Sequence, residues 1–204
     1  RESAFPARRE GIDDVGFARA VVDALVASHG VARDRVVATG FSNGGQLVFR
    51  LLHEAPELLA GAVVVGATMP VAESFLAPAG AATHPVPVVL AHGTRDPVVP
   101  FGGGRMPGWA RLVFRVDGRG LSARDTAAYF AQRHGIRTPP VVAEPSGSSR
   151  GTRLERVAYR EEGRAPVTLH VVHGGGHTVP GPTPAPRLVG RTSGALTLAD
   201  LARE

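Results

Sequence analysis

Apolar and polar residues recur along this chain in two periods, and the switches between them outline alternating helices and strands. Over Asp13 to His29 the apolar positions Val15, Ala18, Val21, Val22, Leu25 and Val26 follow helical spacing. Asp13 and Asp14 suit the positive end of the helix dipole, and Gly30 supplies the stop. Arg35 to Thr39, Gly61 to Gly66 and Val86 to His92 are short and rich in valine, with few or no charges, as expected of strands buried on both faces. Gln46 to His53 reads as a helix, apolar at Leu47, Val48, Leu51 and Leu52, and Ala123 to His134 as another, capped by Ser122. Arg153 to Tyr159 and Val167 to His173 predict two further strands around a charged turn at Glu161 to Arg164, and a closing helix starts near Leu198. Thr138 to Gly151, rich in proline, serine and glycine, reads as a surface connection, with a lid as the alternative.

Strands that alternate with helices predict an α/β sandwich built on a mostly parallel sheet. No internal repeat or domain boundary interrupts the pattern, so residues 1–204 are expected to form a single domain. A chain of that length can bury roughly 70% of the surface its unfolded form exposes, which is enough for a sizeable core.

Residues 36–53 are where the pattern first suggests chemistry. The run Thr39-Gly40-Phe41-Ser42-Asn43-Gly44-Gly45 joins a buried strand to a helix through a glycine-flanked turn, the layout of a nucleophile elbow. Glycines at 40 and 44 are expected to let the chain reverse so tightly that the Ser42 hydroxyl stands clear of the sheet. The G-x-S-x-G pattern alone is weak, and the strand before it and the helix after it give it weight.

Composition narrows the classes further. The formal charge is +5 and the sequence pI about 11.0, yet every basic side chain is arginine and the arginines are scattered. Neither a phosphate-tracking stripe nor interleaved aromatics appear, so a nucleic-acid partner is not expected. The absence of cysteine excludes disulfides and thiolate metal sites. No uninterrupted apolar run approaches the ~18 residues of a membrane span. The chain begins with arginine and carries no signal-type segment, as expected of a processed form or a piece of a longer product.

A serine hydroxyl needs a base to take its proton, and that base needs an acid to hold its tautomer. In open α/β sheets such groups sit in loops beyond the carboxyl ends of strands. Asp96 follows the strand ending near His92 in His92-Gly93-Thr94-Arg95-Asp96-Pro97 and is the candidate acid. Asp34 and Asp117 are turn aspartates without a buried strand so close before them. His177, in Gly174-Gly175-Gly176-His177-Thr178, follows the strand Val167 to His173, on a glycine run expected to be flexible enough to swing the ring over the elbow. His29, His53, His92, His134 and His173 sit at the ends of predicted elements, where structural roles suffice. A metal set of His170, His173 and His177 is disfavoured because residues 170 and 173 face opposite sides of a strand. The chain order Ser42, Asp96, His177 is that of α/β-hydrolases.

At these residues the chain resembles the polyhydroxybutyrate depolymerase and feruloyl-esterase-like branch of the α/β-hydrolases. Val37 to Gly45 is similar to that family's TGxSNGG elbow, His92 to Pro100 to its HGTxDPxVP block, and Gly174 to Gly181 to its GGGHTWPG block. Asp13 to Phe17 matches a DDVGF segment upstream of the elbow, and Leu188 to Ser193 is similar to an LGRTS segment. Residue by residue, the resemblance implies Ser42 as nucleophile, Asp96 as orienting acid and His177 as general base. It also implies the Asn43 backbone N–H as an oxyanion donor, and neither metal nor organic cofactor. Val179 stands where the family has tryptophan, and it is expected, with Phe41, to line the substrate pocket. The family opens with further strands and an HG-type loop that have no counterpart ahead of Asp13. Arg35 to Thr39 is therefore expected to be a fifth strand left as an exposed apolar edge.

The resemblance implies a serine esterase acting on small-molecule or polymeric esters, secreted or periplasmic. A prolyl-oligopeptidase-like peptidase shares the triad order. A catalytically degenerate hydrolase-fold piece with a binding role is the alternative outside enzymes.

Overall fold

A computed structural model of the chain describes residues 11–75, 84–114 and 118–204. Helix α1 (Asp14–His29) leads into strand β1 (Val37–Phe41), helix α2 (Asn43–Glu54), β2 (Gly61–Val65) and β3 (Val88–Gly93). A small ribbon of β4 (Gly104–Arg105) and β5 (Arg119–Gly120) brackets helix α3 (Gly108–Phe114), and α4 (Ala123–Arg133) follows. Strands β6 (Val141–Ser149), β7 (Thr152–Tyr159) and β8 (Val167–His173) complete the main sheet before the short helix α5 (Leu198–Ala202).

The main sheet has the order β1-β2-β3-β8-β7-β6. The pairs β1/β2, β2/β3 and β3/β8 are parallel, while β8/β7 and β7/β6 are antiparallel. The result is an α/β fold with a mostly parallel central sheet.

Alternation along the central strands sorts the core onto two faces, since successive side chains point oppositely. Ala62, Val64, Val88 and Leu90 join Phe49 of α2 and Phe130 of α4 in the larger core, whereas Val63, Val65, Val89 and Ala91 meet Leu196 and Leu201 on the other face. Strands β2 and β3 are buried at every position. Strand β1 is half-exposed and, among the described residues, pairs only with β2 and forms one edge of the sheet.

Helix α1 has the caps the sequence indicates. The Asp13 side chain accepts the Gly16 N–H, and Gly30 closes the helix in the left-handed conformation. Its apolar residues do not all face inward. Val15 is buried, but Phe17, Val21 and Leu25, spaced four apart, are exposed.

The segment 138–151 departs from expectation. It is neither a plain connection nor a lid, because β6 pairs antiparallel with β7. Pro145 and Gly147 coincide with register shifts between Ala143 and Ser149, which an edge strand tolerates because one side of its ladder is unpaired. Arg150 and Gly151 both take positive φ, 50° and 73°, as a tight two-residue hairpin requires.

Among the described residues, no helix is long and apolar enough to cross a membrane.

Candidate active site

Ser42 makes the turn between β1 and α2 by itself, with φ 52° and ψ −116°. Positive φ is uncommon for a residue with a side chain and persists only where surrounding packing enforces it. Two glycines supply that packing. A Cβ on Gly40 would overlap the Gly44 carbonyl, and one on Gly45 would lie 2.8 Å from Ala67 Cβ and 2.9 Å from Val64 Cγ1. Around Gly44 there is open space. The expected pair of sterically required glycines, 40 and 44, is therefore corrected to 40 and 45: one admits the helix start against the strand, the other presses α2 onto β2. The Ser42 N–H donates to the Val65 carbonyl at 2.9 Å, extending the sheet ladder past the strand end.

Asp96 lies in the loop after β3, and its side chain is fully buried. Its Oδ1 accepts the N–H groups of Val98 and Val99, both at 2.8 Å. Its Oδ2 stands 2.7 Å from His177 Nδ1, and His177 Nε2 stands 2.9 Å from Ser42 Oγ. An imidazole that donates Nδ1–H to a carboxylate keeps its Nε2 lone pair for the serine hydroxyl. Side chains from three distant stretches thus converge in one hydrogen-bonded relay. Asn43 opens α2, so its N–H is among the first of the helix, without an intrahelical acceptor and directly beside Ser42.

Backbone crossings hold the acid and base loops together. Arg95 N–H donates to the Gly175 carbonyl at 2.8 Å, and Gly174 N–H to Thr94 Oγ1 at 2.9 Å. A Cβ on Gly93 would overlap the carbonyl oxygens of Gly175 and Gly176, and one on Gly176 would overlap the Val189 carbonyl. His177 N–H donates to that Val189 carbonyl at 2.7 Å, and Gly176 N–H to Arg191 at 2.9 Å. The glycine run is thus a site of close backbone approach that fixes His177, where the sequence suggested a swinging loop. Spacing could not reveal this, because the crossing segments are far apart in the chain. The Leu188 to Ser193 motif was the available signal: it is the strap along which the histidine loop lies.

His92, expected as a structural group, braces the acid loop. Its Nε2–H donates to the Val99 carbonyl at 3.0 Å and lies 3.5 Å from Asp96 Oδ2. Burial holds it below the ordinary histidine range, against the opposing pull of the Val99 carbonyl and Asp96. Phe41 packs its ring on the His177 imidazole, with centroids 4.7 Å apart. Val179 packs against the smaller core around Val63 and Leu196.

The remaining histidines are dispersed. His53 bonds the Phe49 carbonyl and the Tyr129 hydroxyl, His134 the Ala165 carbonyl, His170 the Glu204 carboxylate and His173 that of Glu155. His29 lies beside Ser28. His170, His173 and His177 therefore have three separate partners, and no group of three or more His, Cys, Asp or Glu residues arranged to hold a metal ion occurs among the described residues. Asp34 sits in the short 3-10 turn before β1, and Asp117 lies outside the described residues.

Residues 12–109 match the phospholipase/carboxylesterase family model. NocK of Nocardia uniformis subsp. tsuyamanensis, an esterase by name, is 35% identical over 198 residues, covering 93% of this chain and 56% of that protein. The acetyl xylan esterase from Aspergillus awamori superposes with a TM-score of 0.55 at 16% identity, over 83% of this chain and 64% of that one. This structural likeness bears on the fold: both have an α/β architecture with a mostly parallel sheet. The chain spans about half the length of NocK. Together the likenesses are to proteins named as esterases or carboxylesterases, and the fold is α/β with a mostly parallel sheet.

Proposed function

We propose that this chain carries the reacting centre of a serine carboxylic-ester hydrolase that works through an acyl-enzyme. The observation that carries the reading is the relay in which His177 lies 2.9 Å from Ser42 Oγ and 2.7 Å from Asp96. Ser42 Oγ attacks the ester carbonyl carbon while its proton passes to His177 Nε2. Asp96 holds the imidazolium by Nδ1 and stabilises its charge. As the C–O bond breaks, the proton leaves with the departing alcohol; water, deprotonated in turn by His177, then hydrolyses the acyl-Ser42 bond. The Asn43 N–H faces the developing oxyanion, a contribution whose loss costs about 10²- to 10³-fold in rate where such donors have been removed.

The motifs shared with polyhydroxybutyrate depolymerases and feruloyl esterases direct the substrate to hydroxyalkanoate, hydroxycinnamoyl or acetyl esters. The likeness to an acetyl xylan esterase favours the acetyl esters among them. The chemistry uses neither metal nor organic cofactor, and a secreted or periplasmic setting accords with the resemblance.

The test compares a p-nitrophenyl ester with a peptide p-nitroanilide, and the unsubstituted chain with Ser42→Ala. Ester turnover without anilide turnover is expected, with a loss of about 10⁴-fold or more in Ser42→Ala and no labelling by an organophosphonate. Anilide preference would favour the peptidase, and persistent labelling of Ser42→Ala would transfer the nucleophile elsewhere.

A further inference from the structure

One ring covers the imidazole of His177, and acyl transfer as described above leaves that ring without a task. Phe41 immediately precedes Ser42, and its ring centroid stands 4.7 Å from that of His177 at an interplanar angle of 39°. Phe41 remains 38% exposed, which is unusual for a side chain whose purpose is core packing.

Its position is set by the sheet. Phe41 is in register with Val65 on β2, so the end of the ladder determines where the ring projects. Immediately after Val65, Gly66 takes φ 61°. A Cβ there would lie 2.9 Å from Phe41 Cε2 and 3.3 Å from His177 Nδ1. Gly66 therefore leaves the gap in which the two rings meet, and three elements converge on the contact: the ends of β1 and β2 and the loop after β8.

We propose that Phe41 is a positioning residue for His177, stabilising the imidazolium formed in each proton transfer and keeping the ring in the orientation that bridges Asp96 and Ser42. This rests on the acyl-transfer reading of the relay. An aromatic face attracts a cation within about 6 Å of its centroid, an effect corresponding to about 3- to 30-fold in rate as solvent is excluded. The other groups that face the imidazole are accounted for. Asp96 from the β3 loop takes Nδ1, Ser42 from the elbow takes Nε2, and His92 of β3 stands behind Asp96, 3.5 Å from Oδ2. Asp96 supplies charge and direction along the ring edge, and Phe41 acts on the ring face.

Phe41→Leu keeps apolar bulk and removes the aromatic quadrupole, while Phe41→Trp restores an aromatic face. Two readouts on the full chain test the proposal: the pH profile of kcat and KM on a p-nitrophenyl ester, and the NMR titration of the His177 ring. For Phe41→Leu, kcat is expected to fall about 3- to 30-fold with KM within about twofold. The acid limb and the histidine titration should both move to lower pH by about 0.5 to 1.5 pH units, with recovery in Phe41→Trp. An unchanged titration, a shift to higher pH, or a loss confined to KM would overturn the role, the last making Phe41 a substrate wall. The titration requires no turnover, so the two failures separate. Turnover surviving in Ser42→Ala sinks the relay, and an unmoved titration in Phe41→Leu sinks the part given to Phe41.

Discussion

Gly93, Gly176 and Gly190 meet where three backbone segments cross, and this crossing sets the distance between Asp96 and His177. A Cβ on Gly176 would meet the Val189 carbonyl and, at 2.5 Å, Gly190 Cα. Both are backbone atoms that cannot rotate aside, so Gly176→Ala must displace either the histidine loop or its strap. The expected result is a loss of about 100-fold in kcat, because small misplacements of reacting groups carry costs of that order. A lower unfolding midpoint in a thermal melt should accompany it. Gly44→Ala is the counterpart: with open space around the second residue of α2, it predicts a midpoint no lower than that of the unsubstituted chain, since alanine loses less backbone entropy than glycine on entering a helix. If Gly176→Ala kept full activity, the crossing would not be what positions the base. The same pair shows what the sequence reveals at this scale. Motif spacing pointed to Ser42, Asp96 and His177, whose side chains the fold brings within hydrogen-bonding distance, because residue type and strand-end position are local properties. Which glycine lacks room for a Cβ depends on segments distant in the chain, so Gly45 was passed over for Gly44.

Periodicity was informative where an element's own residues decide its state. The helix over Asp14–His29 carries its own caps, and Val167–His173 is apolar enough to be a strand wherever it lies. Strand β6 was illegible because proline, serine and glycine describe a loop, and only pairing with β7 converts Val141–Ser149 into an edge strand. Its hairpin turn then serves the site, since the Arg150 guanidinium donates to the carbonyls of Gly181 and Pro182 beyond His177. Helix α1 shows a second limit: its spacing predicted a helix correctly but could not say which apolar stripe is covered. Phe17, Val21 and Leu25 are exposed, and Val37 and Phe41 at either end of edge strand β1 are also exposed. Exposed apolar stripes and unpaired strand edges promote association. The 204-residue chain by itself is therefore expected to show an apparent mass that rises with concentration in sedimentation. Phe17→Lys with Leu25→Lys should bring it toward the 21.2 kDa of one chain. A concentration-independent monomer before substitution would contradict the role of this face.

At the scale of the whole molecule four buried histidines act in one direction. Burial is the leading influence on His53, His92, His134 and His170, and it holds each below its ordinary range. The unfolded chain therefore takes up protons near pH 6.5 that the folded chain refuses, and stability falls as pH drops through that region. Each such proton contributes a slope of up to about 1.4 kcal/mol per pH unit. The carboxylates act lower on the scale. Burial raises Glu155, but hydrogen bonds from Arg124 and His173 outweigh it, and backbone N–H groups of Arg137 and Thr138 hold Glu161 down. Their support is present above the ordinary carboxylate range and is lost only as pH falls through the lowered values. Urea unfolding at pH 8, 7, 6 and 5 should accordingly give a nearly flat first interval and a steep decline from 6.5 to 5. His134→Asn can still donate to the Ala165 carbonyl but does not titrate, so it should lessen that slope by up to one proton's worth. A profile flat to pH 5 would mean that these rings do not remain neutral in the fold. His92 connects the effect to the site: charged at 3.5 Å from Asp96, it would compete with His177 for the same carboxylate oxygen. Acid would then weaken the relay through the acid loop as well as through the base, so activity should fall before the fold is lost.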